Sequence, residues 1–179
     1  HLKPSEYSSS SSSGRYPYIT GPAEFGEKFP VWDKYTEEGR ALAEEGDILI
    51  TCKGSGIGKL NSANTRIAIS RQLMAVRPIL ILEQFLYMIL DSMYAYFQDK
   101  GVGIAIPGIS RSDVESITIG LPSIEEQKRI VAKVEELTSL CDQLKQRLQT
   151  AQQTQQYFTD AVAAGALDYE STANRAGDD

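Results

Sequence analysis

Beyond Pro122 the apolar positions keep a single beat. Ile130, Val134, Leu137, Cys141, Leu144, Leu148, Ala151, Gln155, Phe158 and Val162 are separated by alternating steps of four and three, and Gln155 is the one polar member. No proline or glycine interrupts this run before Gly165. A 4-3 repeat is the seam of a helix that packs against another helix. Ser123 and Glu126 form an S-x-x-E capping box, and Glu125 and Glu126 suit the positive end of a helix. The predicted helix covers 123–166, about 40 residues or roughly 60 Å at 1.5 Å per residue. A domain of about 100 residues can cover its first turns but not the rest, so the seam is expected to be a coiled-coil interface. Gln155 costs stability there and can fix register or partner choice.

Upstream the periodicity changes. "DILITC" (47–52) reads as a buried strand, and "TRIAIS" and "QLMAVRPILI" carry the β-branched and apolar content of further strands. Leu82, Phe85, Leu86, Ile89, Leu90, Met93 and Phe97 follow the spacing of one amphipathic helix. "GVGIAIP" (101–107) returns to strand-like composition, a short helical turn is expected near Ser112–Glu115, and "SITIGL" reads as extended. Residues 16–122 are therefore expected to form one small α/β domain. Residues 1–15, with their six serines from Ser8 to Ser13, and the tail 167–179 are expected to be flexible.

Between strands lies "KGSGIGKL" (53–60), and its glycines invite a phosphate-loop reading. The spacing rejects it. Gly54 precedes Gly58 by four positions rather than five, and Leu60 stands where a Walker loop needs a hydroxyl. G-x-G-x-x-G fails as well, because the glycines run G-x-G-x-G. A tight turn between two strands is the better reading.

Composition narrows the chemistry. Cys52 and Cys141 are far apart in apolar patterns, and the only histidine is His1, which leaves little for a zinc site or a histidine-based mechanism. The longest apolar run, "ILILEQFLYMIL", is broken by Glu83 and Gln84, so no membrane span is expected; with no signal peptide in view, a cytoplasmic location is expected. The net charge of −6 disfavours nucleic acid when taken whole. Its distribution does not: 48–82 hold Lys53, Lys59, Arg66, Arg71 and Arg77 and no acid. That interval is either an anion-facing surface or a solvated sheet edge. If it faces DNA, Lys53, Lys59, Arg66 and Arg71 suit phosphates, while Asn61, Asn64 and Gln72 carry amides that can read adenine. Arg111 is a further candidate. Arg77, beside Pro78, is a candidate for a structural ion pair instead.

The junction "SITIGLPSIEEQKRIVAKVEELTSL" resembles the end of a target recognition domain and the start of the conserved helix in specificity subunits of type I restriction-modification systems, matched at Glu126, Gln127, Lys128, Arg129 and Ile130. "YPYITG", "EEGDILITCKGSGIGKL", "AISRQLMAVRP" and "FTDAVAAGALD" resemble the family in the same order. The resemblance implies a non-catalytic chain that reads one half of a split DNA site. Its long helix would pair antiparallel with a second one, contributed by another recognition half or by a second copy. It also implies modification subunits that methylate adenine with S-adenosylmethionine, and restriction subunits that use ATP and magnesium; no cofactor is expected in this chain. One domain and one helix, rather than two of each, would make this either half of a longer subunit or a half-subunit that must pair. The competing reading is a coiled-coil dimerisation protein whose globular domain binds another protein.

Overall fold

The computed structural model describes residues 6–8, 15–54, 56–100 and 108–175, with side chains as far as residue 161. It divides into two compact units, residues 1–131 and 132–179. The first unit is α/β with one mixed and one antiparallel sheet, and a single long helix carries the chain through the second.

Two small sheets build the first unit. One has strand order β2-β1-β6-β3, from β1 (Tyr16–Ile19), β2 (Lys34–Thr36), β3 (Leu42–Ala43) and β6 (Ile67–Ile69); its β1–β6 pair is parallel and the others antiparallel. The other has order β5-β4-β7, all antiparallel, from β4 (Ile48–Thr51), β5 (Leu60–Ser62) and β7 (Leu73–Val76). Strand β4 explains why "DILITC" carries three consecutive aliphatic residues, Ile48, Leu49 and Ile50. Its successive side chains alternate between two cores, as a strand must. Ile48 and Ile50, with Cys52 just beyond, join the cluster that holds Ile57, Leu60, Leu90, Phe97 and Ile109. Leu49 faces the other way, into Ile19, Ala43, Ala63, Ile67, Ile69 and Leu73. A strand covered on both faces favours a continuous apolar run over strict alternation. Each such side chain stabilises the fold by about 1.5–3 kcal/mol on burial.

The apolar repeat from Leu82 to Phe97 forms two helices instead of one. Helix α1 (Glu83–Ser92) ends at Met93, and α2 (Tyr94–Lys100) follows directly. Leu82 is extended, at φ −69° and ψ 137°, and precedes the helix. Both helices bury one face in the same cluster, through Leu90 and Phe97. Helix α3 (Arg111–Glu115) begins one residue after Ser110, whose hydroxyl and N–H are bonded reciprocally with Asp113. Residues 117–120, expected as an extended stretch, pair with no strand among the described residues. "GVGIAIP" and most of 1–15 lie outside the described residues.

Helix α4 (Ile124–Arg175) is 52 residues long, about 78 Å at 1.5 Å per residue, and passes beyond the expected end at 166. Half of the expected capping box is seen at its start: Ser123 Oγ accepts the Glu126 N–H at 3.3 Å, while the Glu126 carboxylate accepts from Arg129 at 2.8 Å. In the second unit the seam residues Val134, Leu137, Leu144, Leu148 and Phe158 are 38–63% exposed, and Cys141 and Ala151 are exposed as well. Ile130 is half-buried in the first unit. The side chain of Val162 lies outside the described residues. Among the described residues no helix is long and apolar enough to cross a membrane.

Candidate nucleic-acid interface

The glycine stretch closes the β4–β5 hairpin. Gly54 and Gly58 have φ of 89° and 80°, a region that favours glycine. The turn's amides bond within the hairpin: Ile57 N–H donates to Gly54 O, Gly58 N–H to Thr51 O, and Lys59 N–H to Gly56 O. A phosphate cradle would need such amides to point outward. A Cβ on Gly58 would stand 3.0 Å from Phe97 Cβ, so glycine also lets the turn lie against α2.

Backbone pairing gathers basic residues at this end of the small sheet. Cys52 N–H donates to Gln72 O at 2.7 Å, which sets Arg71 and Gln72 beside Lys53. Ile109 N–H donates to Cys52 O at 2.9 Å, and Lys53 bridges Gly108, so the chain leading to Arg111 joins the same end. Thr51 N–H donates to Lys59 O at 2.9 Å and brings in the second lysine. The Gln72 amide lies along Gly21, where an added Cβ would come within 2.6 Å of Oε1. Lys53, Lys59, Arg71 and Gln72 are all exposed. Among the described residues the three cationic side chains have no ion-pair partner. Arg111 is 84% exposed and, among the described residues, its side chain bonds only Glu115, one turn along α3, at 2.6 Å.

The other predicted residues lie elsewhere. Asn61 is 1% exposed on β5, and its Nδ2 donates to Gly26 O at 2.9 Å. A side chain closed off in this way cannot reach a base edge, which corrects its place among the adenine readers. Asn64 and Arg66 are at the opposite end of the hairpin, past the Gly46–Ala63 backbone bond. Arg66 pairs with Glu44 at 3.0 Å and lies over the Tyr16 ring at 5.4 Å. Arg77 binds both carboxylate oxygens of buried Asp47 at 2.8 Å, the structural ion pair its setting suggests. Burial pushes the Asp47 carboxyl up, but Arg77 and the Glu44 N–H outweigh it and hold the group below its ordinary 3.8. Burial pushes the Cys52 thiol up, so Cys52 stays an inert core residue. Among the described residues no group of three or more metal-ligating side chains occurs.

Sequence reasoning missed the work of Gln127. It was visible only as part of the helix-start motif, yet it is 1% exposed and bonds two backbone groups of the first unit.

One mixed and one antiparallel sheet thus carry a basic loop end, and a long helix with an exposed apolar seam follows. The type I restriction modification DNA specificity domain matches residues 3–153, and the chain belongs to this family. It is 29% identical over 119 residues to the type I restriction enzyme EcoDI specificity subunit of Escherichia coli, covering 66% of this chain and 27% of that subunit. Over 74 residues it is 36% identical to the EcoEI specificity subunit of the same organism, 41% of this chain and 12% of the relative. Among solved structures, the HsdS subunit of Thermoanaerobacter tengcongensis is similar with TM-score 0.71 at 26% identity, over 82% of this chain and 35% of that one. A chain from a type I restriction-modification assembly gives TM-score 0.69 at 27% identity, over 82% and 36%. The chain thus spans about a third or less of the relatives it matches.

Proposed function

We propose that residues 16–122 read one half of a bipartite DNA site for a type I restriction-modification complex. The supporting observation is the convergence of unpaired Lys53, Lys59 and Arg71 with Gln72 at one end of the β5-β4-β7 sheet. Lys53, Lys59 and Arg71 neutralise phosphates and set the register of the duplex. Gln72 has the paired donor and acceptor that suit adenine, and Arg111, once released from its exposed Glu115 pair, suits guanine. Arg66 and Asn64 stand apart from this surface.

In this reading the chain itself is not catalytic. Residues 123–166 pair antiparallel with a second helix and so space two recognition domains. Modification subunits bring S-adenosylmethionine, restriction subunits bring ATP and magnesium, and this chain positions both on double-stranded DNA. The test is selection from a random duplex library by the chain assembled with a modification subunit. A recovered half-site, with affinity falling steeply as salt rises, supports the reading. Recovery of random sequence, or no salt dependence, favours a protein-binding domain instead.

A further inference from the structure

The residues that flank the seam bear on which helix can pair with it. With Leu137, Leu144, Ala151 and Phe158 at d positions and Val134, Cys141, Leu148 and Gln155 at a, the e and g positions include Lys133, Lys145 and Arg147. None of the flanking positions between Val131 and Ala161 holds an acid. Glu135, Glu136, Asp142 and Asp160 lie farther round the helix. Asp142 pairs with Lys145 at 3.6 Å and Glu136 with Lys133 at 2.9 Å, but these exposed pairs screen little, and Arg147 has no acidic partner among the described residues.

An antiparallel self-pair that uses the whole seam has one register. It stacks Val134 on Phe158, Leu137 on Gln155, Cys141 on Ala151 and Leu144 on Leu148. That register sets Lys145 opposite Lys145 of the second copy on one side, and Arg147 opposite its equivalent on the other. Both contacts are repulsive and fall at the centre of the interface, and Gln155 meets leucine with no polar counterpart. Flanking charges choose partners in such helices, and like charges suppress wrong ones.

We infer that the seam is built for a helix other than its own copy: one with apolar heptads, acidic residues at the flanking positions, and a polar residue opposite Gln155. The inference rests on the antiparallel pairing proposed above. A full-length chain carrying Lys145→Glu and Arg147→Glu supplies an acid-flanked partner with the same seam, and both changes fall on exposed positions that leave the helix intact. Sedimentation of the two chains, separately and mixed, reads the outcome. The mixed pair is expected to form at least about tenfold more tightly than the wild-type self-pair at low salt, with the advantage shrinking as salt rises. Equal affinities would overturn the charge-selected partner and leave the paired seam standing. No association in any mixture would overturn both. Oxidation of the wild-type chain to a Cys141–Cys141 dimer would show parallel, in-register pairing, and would overturn the proposal by removing its register.

Discussion

Gln127 accepts the N–H of Leu82 at 2.8 Å and donates to the carbonyl of Pro122 at 2.9 Å, so one buried amide joins the start of α1 to the first turn of α4. Leu82 is the residue before α1 and gives that helix no side-chain cap, so Gln127 supplies a partner the local sequence lacks. Gln127→Leu would leave two part-buried backbone groups without their side-chain partner. At 1–3 kcal/mol for each such group, the expected loss is about 2–6 kcal/mol. Urea unfolding of the whole chain measures it, and a change below about 0.5 kcal/mol would show that both groups find other partners.

Acid should loosen the first unit through Asp47. Its folded-state pKa lies below the ordinary 3.8, so its contribution is fully present above that value. As pH falls through the lowered value the carboxylate protonates and the Arg77 pairing is lost. Glu24 is also held down: burial raises it, but Thr20, Lys34 and the Gly21 N–H outweigh that. The expected result is a stability that is flat near neutrality and falls below about pH 4. Asp47→Asn should be less stable at pH 7 and show a shallower acid fall. An unchanged acid slope would remove Asp47 from the account.

The proposed interface separates cations that the sequence groups together. Lys53→Ala, Lys59→Ala and Arg71→Ala should each weaken DNA binding by the assembled complex for all sequences alike. Each should lower the slope of log affinity against log salt by about 0.9. Arg66→Ala should leave affinity within about twofold, since Arg66 is held by Glu44 and Tyr16 at the other end of the hairpin. A large loss for Arg66→Ala alone would move the interface to that end.

Leu144→Glu tests the seam. A charge at a paired d position should abolish helix pairing in sedimentation, while the near-ultraviolet spectrum of the first unit stays as it was. Pairing that survives would place the contact on another face of α4.

The heptad seam and β4 were legible because each is a local rhythm with one physical cause. The seam needed only its 4-3 steps, and β4 needed only the consecutive apolar residues Ile48, Leu49 and Ile50. Met93 was not legible as a break, because Leu90 and Phe97 face the same core on either side of it and the apolar beat continues. The parallel pairing of β1 with β6 joins Tyr18 to Ala68 across fifty residues of chain, and no local pattern records such a partner. Asn61 misled for a related reason. Exposed Lys59 and Arg66 bracket it in sequence, but β5 turns its side chain inward to Gly26. Sequence could place five cations in one interval, while only the hairpin register could send Lys53, Lys59 and Arg71 to one end and Arg66 and Arg77 to the other.

The central claim is that residues 16–122 choose a DNA half-site. The direct measurement is methyladenine mapping after this segment replaces one recognition domain of a two-domain specificity subunit co-expressed with its modification subunits. The account predicts that one half of the methylated site changes to a new sequence while the other half is retained. Methylation persisting at the original bipartite site would contradict it.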